Sequence, residues 1–154
     1  MSETLKIAII GDYNFTYNAH HATNLALDHS ADFLELEPNY YWIKISDALK
    51  YKSGYFDQYD GIWIAPGPIE NPFYLAGIFK KLIENKIPVL NTGEGFKLFL
   101  EHLITFHQLT SYQEKLISEN LVAGNSFERL TIHPKSNAFK KLYRNFSNEE
   151  LTSS

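Results

Sequence analysis

The chain contains no cysteine. That absence excludes disulfide staples, thiolate nucleophiles and thiolate zinc sites, and it makes the cytoplasm the expected compartment. No apolar run approaches the thickness of a bilayer, and Met1-Ser2-Glu3-Thr4-Leu5-Lys6 lacks a basic start followed by an apolar stretch. Neither a membrane span nor an export signal is therefore expected. Basic charge is also scarce. A net charge of −4 with mixed signs leaves no basic stripe to neutralise a phosphate backbone, so nucleic acid is not an expected partner. Gly93-Glu94-Gly95 is too short for a phosphate-cradling loop and has no lysine in place behind it. His102 and His107 are five apart rather than four, and the adjacent His20 and His21 diverge by about a hundred degrees on a helix. No metal site and no cofactor are expected.

What is present is a chain of 154 residues, long enough to bury a core without staples and short enough for one domain. Aromatic residues make up 15% and concentrate at Tyr40-Tyr41-Trp42 and between Tyr51 and Tyr59. They either fill an α/β core or cover a surface shared with another chain.

Hydrophobic patterning indicates alternating strands and helices. Leu5 to Gly11 is a continuous apolar run closed by glycine, as expected of a central parallel strand. Ala19, Ala22, Leu25, Ala26 and His29 recur at helical spacing, which predicts a helix over Asn18 to Ser30. Phe33 to Leu36 and Trp42 to Ile45 alternate like strands, with Pro38 and Asn39 as breakers between them. Gly61 to Ala65 reads as a buried strand running into Pro66-Gly67-Pro68, a rigid turn. Leu75, Ile78, Phe79, Leu82 and Ile83 form a helical stripe, Ile87 to Leu90 the next strand, and Phe96, Phe99, Leu100 and Leu103 another helix. Further on, Tyr112 to Leu121 and Ala138 to Arg144 are predicted helices and Phe127 to Ile132 a strand. The predicted fold is an open, mostly parallel α/β sheet with helices on both faces, flavodoxin-like, truncated on its C-terminal side. A single domain is expected over residues 1–144, with a polar, frayed tail at 145–154.

Ligands of such sheets bind beyond the carboxyl ends of the strands. Three loops meet that description. The first carries Gly11, Asp12, Tyr13, Asn14, His20 and His21; the second Gly67, Pro68, Glu70 and Asn71; the third Asn91, Thr92, Gly93 and Glu94. The third is the most informative, because Pro88 to Phe96 reads as a strand, a tight turn and a helix, with Gly93 at the apex where such an elbow exposes a nucleophile.

Ile9-Ile10-Gly11-Asp12-Tyr13, Asp60 to Gly67 and Lys86 to Phe96 together resemble the class I glutamine amidotransferases, closest to the amidotransferase domain of CTP synthase and its stand-alone relatives. The resemblance spans the first two-thirds of the chain. Members of that family place a cysteine, or in some relatives a selenocysteine, between two glycines at the elbow; Asn91, Gly93 and Gly95 stand at those three places here. A small residue with a free N–H follows the family's Pro-Gly and helps hold the oxyanion, whereas Pro68 follows Gly67 in this chain and has no N–H. The family's histidine two residues before a glutamate on a late strand has no counterpart, since His133-Pro134-Lys135 does not fit.

The resemblance therefore implies a degenerate amidotransferase-like domain, a pseudoenzyme without a Cys-His-Glu triad. It would act by holding a small polar ligand or docking a protein. The expected ligand cleft is Gly11, Asp12, Tyr13, His20, Gly67, Pro68, Asn91, Thr92, Gly93 and Glu94. The expected protein partners are a second copy of the chain, as a homo-oligomer covering an open sheet edge, or a synthase. Two alternatives stay open: an enzyme with relocated acid–base chemistry using Glu94 and His20 on a small amide or nucleotide-like substrate, and an accessory subunit of a CTP-synthase-like amidotransferase.

Overall fold

A computed structural model of the chain describes residues 4–109 and two short strands at 128–131 and 150–153. The helices predicted at 112–121 and 138–144 lie outside the described residues. The chain divides into two compact units, Met1–Ile117 and Ser118–Ser154, where the sequence reading has one domain to residue 144. The second unit contains β5 (Glu128–Thr131) and β6 (Glu150–Ser153), which pair antiparallel. In that pairing Leu151 and Thr152 lie opposite Leu130 and Arg129.

The first unit runs β1 (Thr4–Ile10), α1 (Asn18–Leu34), β2 (Glu37–Ile43), α2 (Ile45–Lys50), a 3-10 helix (Ser53–Gln58), β3 (Gly61–Ile64), α3 (Pro72–Glu84), β4 (Val89–Asn91) and α4 (Gly93–Phe106). Its four strands are all parallel, in the order β2-β1-β3-β4. The expected parallel α/β sheet is present. Period-two alternation sorts the strand residues onto two faces. Ala8, Ile10, Ile62 and Ile64 join Leu75, Ile78, Phe79 and Leu82 of α3 in the main core. On the opposite face, α1 is tied to β2 by a 2.8 Å hydrogen bond from Trp42 Nε1 to Asn24 Oδ1. The aromatics between Tyr51 and Tyr59 belong to the core rather than to a surface: Phe56 is fully buried, Tyr59 nearly so, and Tyr51 stacks on Tyr55 with centroids 3.8 Å apart.

Two sequence readings need correction. Phe33 to Leu36 is not a strand. α1 continues through Leu34, Glu35 closes it in the left-handed conformation at φ 55°, and Leu36 N–H reaches back to Ala31 O at 2.9 Å. Four alternating residues fit the end of an amphipathic helix as well as they fit a strand, and the backbone closure decides between them. Pro38 and Asn39 do not break a strand either; both lie inside β2, in register with Leu5 and Lys6. β2 is an edge strand, where the missing proline N–H costs no ladder bond on the open side.

At the other end of the sheet, His102 of α4 is half-buried, packed against Phe79 of α3 and Phe106. Its Nε2 is buried without a hydrogen-bond partner. Desolvation, with a smaller contribution from His107, lowers its pKa below the ordinary value. A histidine with a lowered native pKa adds stability above the pKa of the unfolded chain, and that stability is lost as pH falls through the native value. Urea unfolding from neutral to acidic pH should show stability falling below about pH 6.5 in the wild type. The fall should be shallower in His102→Phe. An identical pH dependence in both proteins would contradict this placement.

Candidate functional site

The order β2-β1-β3-β4 reverses direction between β1 and β3, so the loops leaving these strands diverge and open a crevice at their carboxyl ends. Two regions lie at that edge: the elbow between β4 and α4, and a polar cleft beside it.

The elbow retains its left-handed bend, with Gly93 at φ 53°. Its apex has no room for a side chain: a Cβ there would lie 2.5 Å from Pro66 O and 2.9 Å from Pro66 Cβ. The Pro66 loop lies directly against this position. Glu94 N–H, which follows the apex and in such elbows points at the oxyanion, donates to Pro66 O at 2.8 Å. Pro68 offers no donor. The next amide, Ile69 N–H, donates to Glu94 Oε2 at 2.9 Å. Glu94 also covers Gly67, where a Cβ would meet Oε2 at 2.6 Å. Gly67 has φ 103°, a conformation that suits glycine alone, and the Gly67–Pro68 peptide is cis. Glu94, read from sequence as a carboxylate in the cleft, is a clamp on the loop backbone.

His20 holds the same loop. It is buried on α1, its Nδ1 accepts Asn14 N–H at 3.0 Å, and its Nε2 lies 2.9 Å from Gly67 O. Since Nδ1 accepts, Nε2 carries the proton and donates to Gly67 O, which assigns the tautomer. Tyr13 and Trp42 pack around the ring, the latter at 4.9 Å between centroids. No hydrogen bond joins His20 to Glu94. Each is tied to the main chain of the Pro66–Ile69 loop. The remaining candidates of the third loop also face inward: Thr92 Oγ1 accepts Trp63 Nε1–H at 2.8 Å, and Asn91 Oδ1 is buried without a hydrogen-bond partner. Gly11 abuts the residue that follows β3, with only 2.5 Å between a Cβ there and Ala65 Cβ.

The polar cleft has a volume of about 530 Å³. After β1 it is lined by Asp12, Tyr13, Asn14 and Tyr17. Lys44, Ile45 and Ser46 line it after β2, and Pro68, Glu70, Asn71 and Tyr74 at the entry to α3. Of the ten residues expected to form a cleft, the lining includes Asp12, Tyr13 and Pro68. Gly11, His20, Gly67, Asn91, Thr92, Gly93 and Glu94 fall outside it. Trp42 to Ile45 alternates like a strand throughout, so the sequence pattern does not place a loop there. In the fold β2 ends at Ile43, which brings Lys44 and Ser46 to the sheet edge. Among the described residues, no group of three or more histidine, aspartate or glutamate side chains is placed to hold a metal ion. No described helix is long and apolar enough to cross a membrane.

The fold has a counterpart among solved structures. The glutaminase domain of Trypanosoma brucei CTPS with bound acivicin superposes with a TM-score of 0.54 at 17% identity, over 65% of this chain. The fold is amidotransferase-like. At that identity the likeness concerns the fold alone, and the aligned region spans 40% of the trypanosomal chain. No protein-family model and no curated protein sequence matches the chain.

Because His20 and Glu94 tie one loop from two different elements, their contributions should be coupled. Urea unfolding of His20→Ala and Glu94→Ala should show losses of about 1–3 kcal/mol each. The double variant should lose less than the sum by about 0.5–1 kcal/mol. Strict additivity would mean that the two side chains do not act on a common element.

Proposed function

We propose that this chain is a catalytically degenerate amidotransferase-like domain that binds a small polar ligand, and that the ligand sits in the cleft beyond β2, β1 and β3 rather than at the elbow. The fold supports the kinship. One observation carries the loss of chemistry: the amide donors on which an oxyanion would depend are engaged within the protein, Glu94 N–H on Pro66 O and Ile69 N–H on Glu94 Oε2. Acyl transfer needs donors aimed at the developing negative charge, and the loss of even one costs orders of magnitude in rate. A nucleophile cannot be added by substitution alone, since any side chain at position 93 meets Pro66.

The bonding of His20 and Glu94 weighs against relocated acid–base chemistry. A general base must reach the proton it abstracts, and both side chains already have backbone partners. The cleft at about 530 Å³ falls within the range of small-molecule sites.

Glutamine turnover followed by ammonia release tests this reading. The wild-type chain should release no ammonia above buffer. Gly93→Cys should remain inactive and lose about 1–3 kcal/mol of stability through overpacking against Pro66. Robust glutamine hydrolysis by the wild type, or by a folded Gly93→Cys variant, would overturn the proposal.

A further inference from the structure

The chemistry of the cleft wall narrows the ligand class, an inference that rests on the binding-module reading above. Three charged side chains line it, Asp12, Glu70 and Lys44. None of them forms an ion pair with another described residue. A bare anion would meet Lys44 against two carboxylates, and a bare cation would meet the carboxylates against Lys44. An apolar ligand would strip water from all three without replacing its hydrogen bonds.

A hydroxyl group avoids these conflicts. A carboxylate only accepts hydrogen bonds and an ammonium only donates them, whereas a hydroxyl does both. Adjacent hydroxyls on one ligand can therefore satisfy groups of both signs. The rest of the wall supplies what such a ligand also needs. Tyr13, Tyr17 and Tyr74 are each 40–43% exposed and present large, partly apolar surfaces at low entropic cost. Tyr13 is held in place from behind by Trp42 at 4.9 Å and by His20, so its ring is preorganised.

We propose that the cleft binds the polyhydroxylated ring of a sugar, free or within a nucleoside. The ring lies against the tyrosines, and its hydroxyls are shared between the carboxylates of Asp12 and Glu70 and the Lys44 ammonium. The shared chemistry is a ring with neighbouring hydroxyls.

The experiment titrates the intact chain with D-ribose, D-glucose, uridine and adenosine, following the tyrosine ring resonances by NMR, with putrescine and inorganic phosphate as charged comparators. At least one hydroxylated ring should saturate and shift Tyr13, Tyr17 and Tyr74 together. Saturation by a monosaccharide assigns the site to free sugar, and saturation by nucleosides alone assigns it to a nucleoside; either outcome supports the proposal. Asp12→Asn combined with Glu70→Gln should weaken binding about tenfold or more, and Lys44→Met should weaken it in the same direction. Glu84→Gln, at the far end of α3, should leave it unchanged. Far-UV circular dichroism verifies that each variant is folded. The proposal is overturned if no hydroxylated ring saturates by about 10 mM, if only putrescine or phosphate does, or if the double variant retains full affinity. Glutamine turnover on the same sample separates the two readings. Ammonia release overturns the binding-module reading, whereas its absence together with an empty titration overturns only the ligand class.

Discussion

The edge of this sheet is organised by one loop, Pro66 to Ile69, and by the bonds that hold it. His20 reaches it from α1 through Gly67 O, and Glu94 reaches it from α4 through Ile69 N–H. The amide of Glu94 closes on Pro66 O. These are three hydrogen bonds from two helices onto three of the loop's four residues. Because they converge on one element, losing any of them leaves polar main chain that the others cannot satisfy. The loop position in turn fills the elbow apex and forms one wall of the polar cleft through Pro68.

This constraint also holds the bend of the elbow between β4 and α4. Gly93 has a left-handed backbone at φ 53°. The bend is held from outside, because straightening it would break the bond between Glu94 N–H and Pro66 O. The close approach of helix and loop is available only to residues without a Cβ, and Gly67 opposite Glu94 meets the same limit. Here the elbow geometry is maintained by packing and by a main-chain hydrogen bond.

Much of the fold was legible because its periods are strong. The apolar run of β1, the stripe of α3 and the strand-turn-helix at Gly93 each combine spacing with a terminating glycine or proline, and local and global preferences agree there. Legibility failed where short patterns are ambiguous. Phe33 to Leu36 alternates but ends a helix, and Pro38 enters a strand because that strand lies at an edge. The site was legible only in part. Sequence order identifies the loops at the carboxyl edge but not which side chains turn inward. His20 and Glu94 lie at those loops yet hold main chain, and Lys44, Ser46 and Tyr74 line the cleft because of where β2 ends and α3 begins.

The clamped loop is tested most directly by native-state hydrogen exchange at three amides, those of Asn14, Ile69 and Glu94, which donate to His20, Glu94 and Pro66 respectively. The account expects all three to exchange slowly and as one group, opening with a free energy close to that of global unfolding. Exchange of these amides at the rate of an unstructured peptide, while the amides of β1 and α3 stay protected, would show that the loop is open at the elbow and would contradict the account.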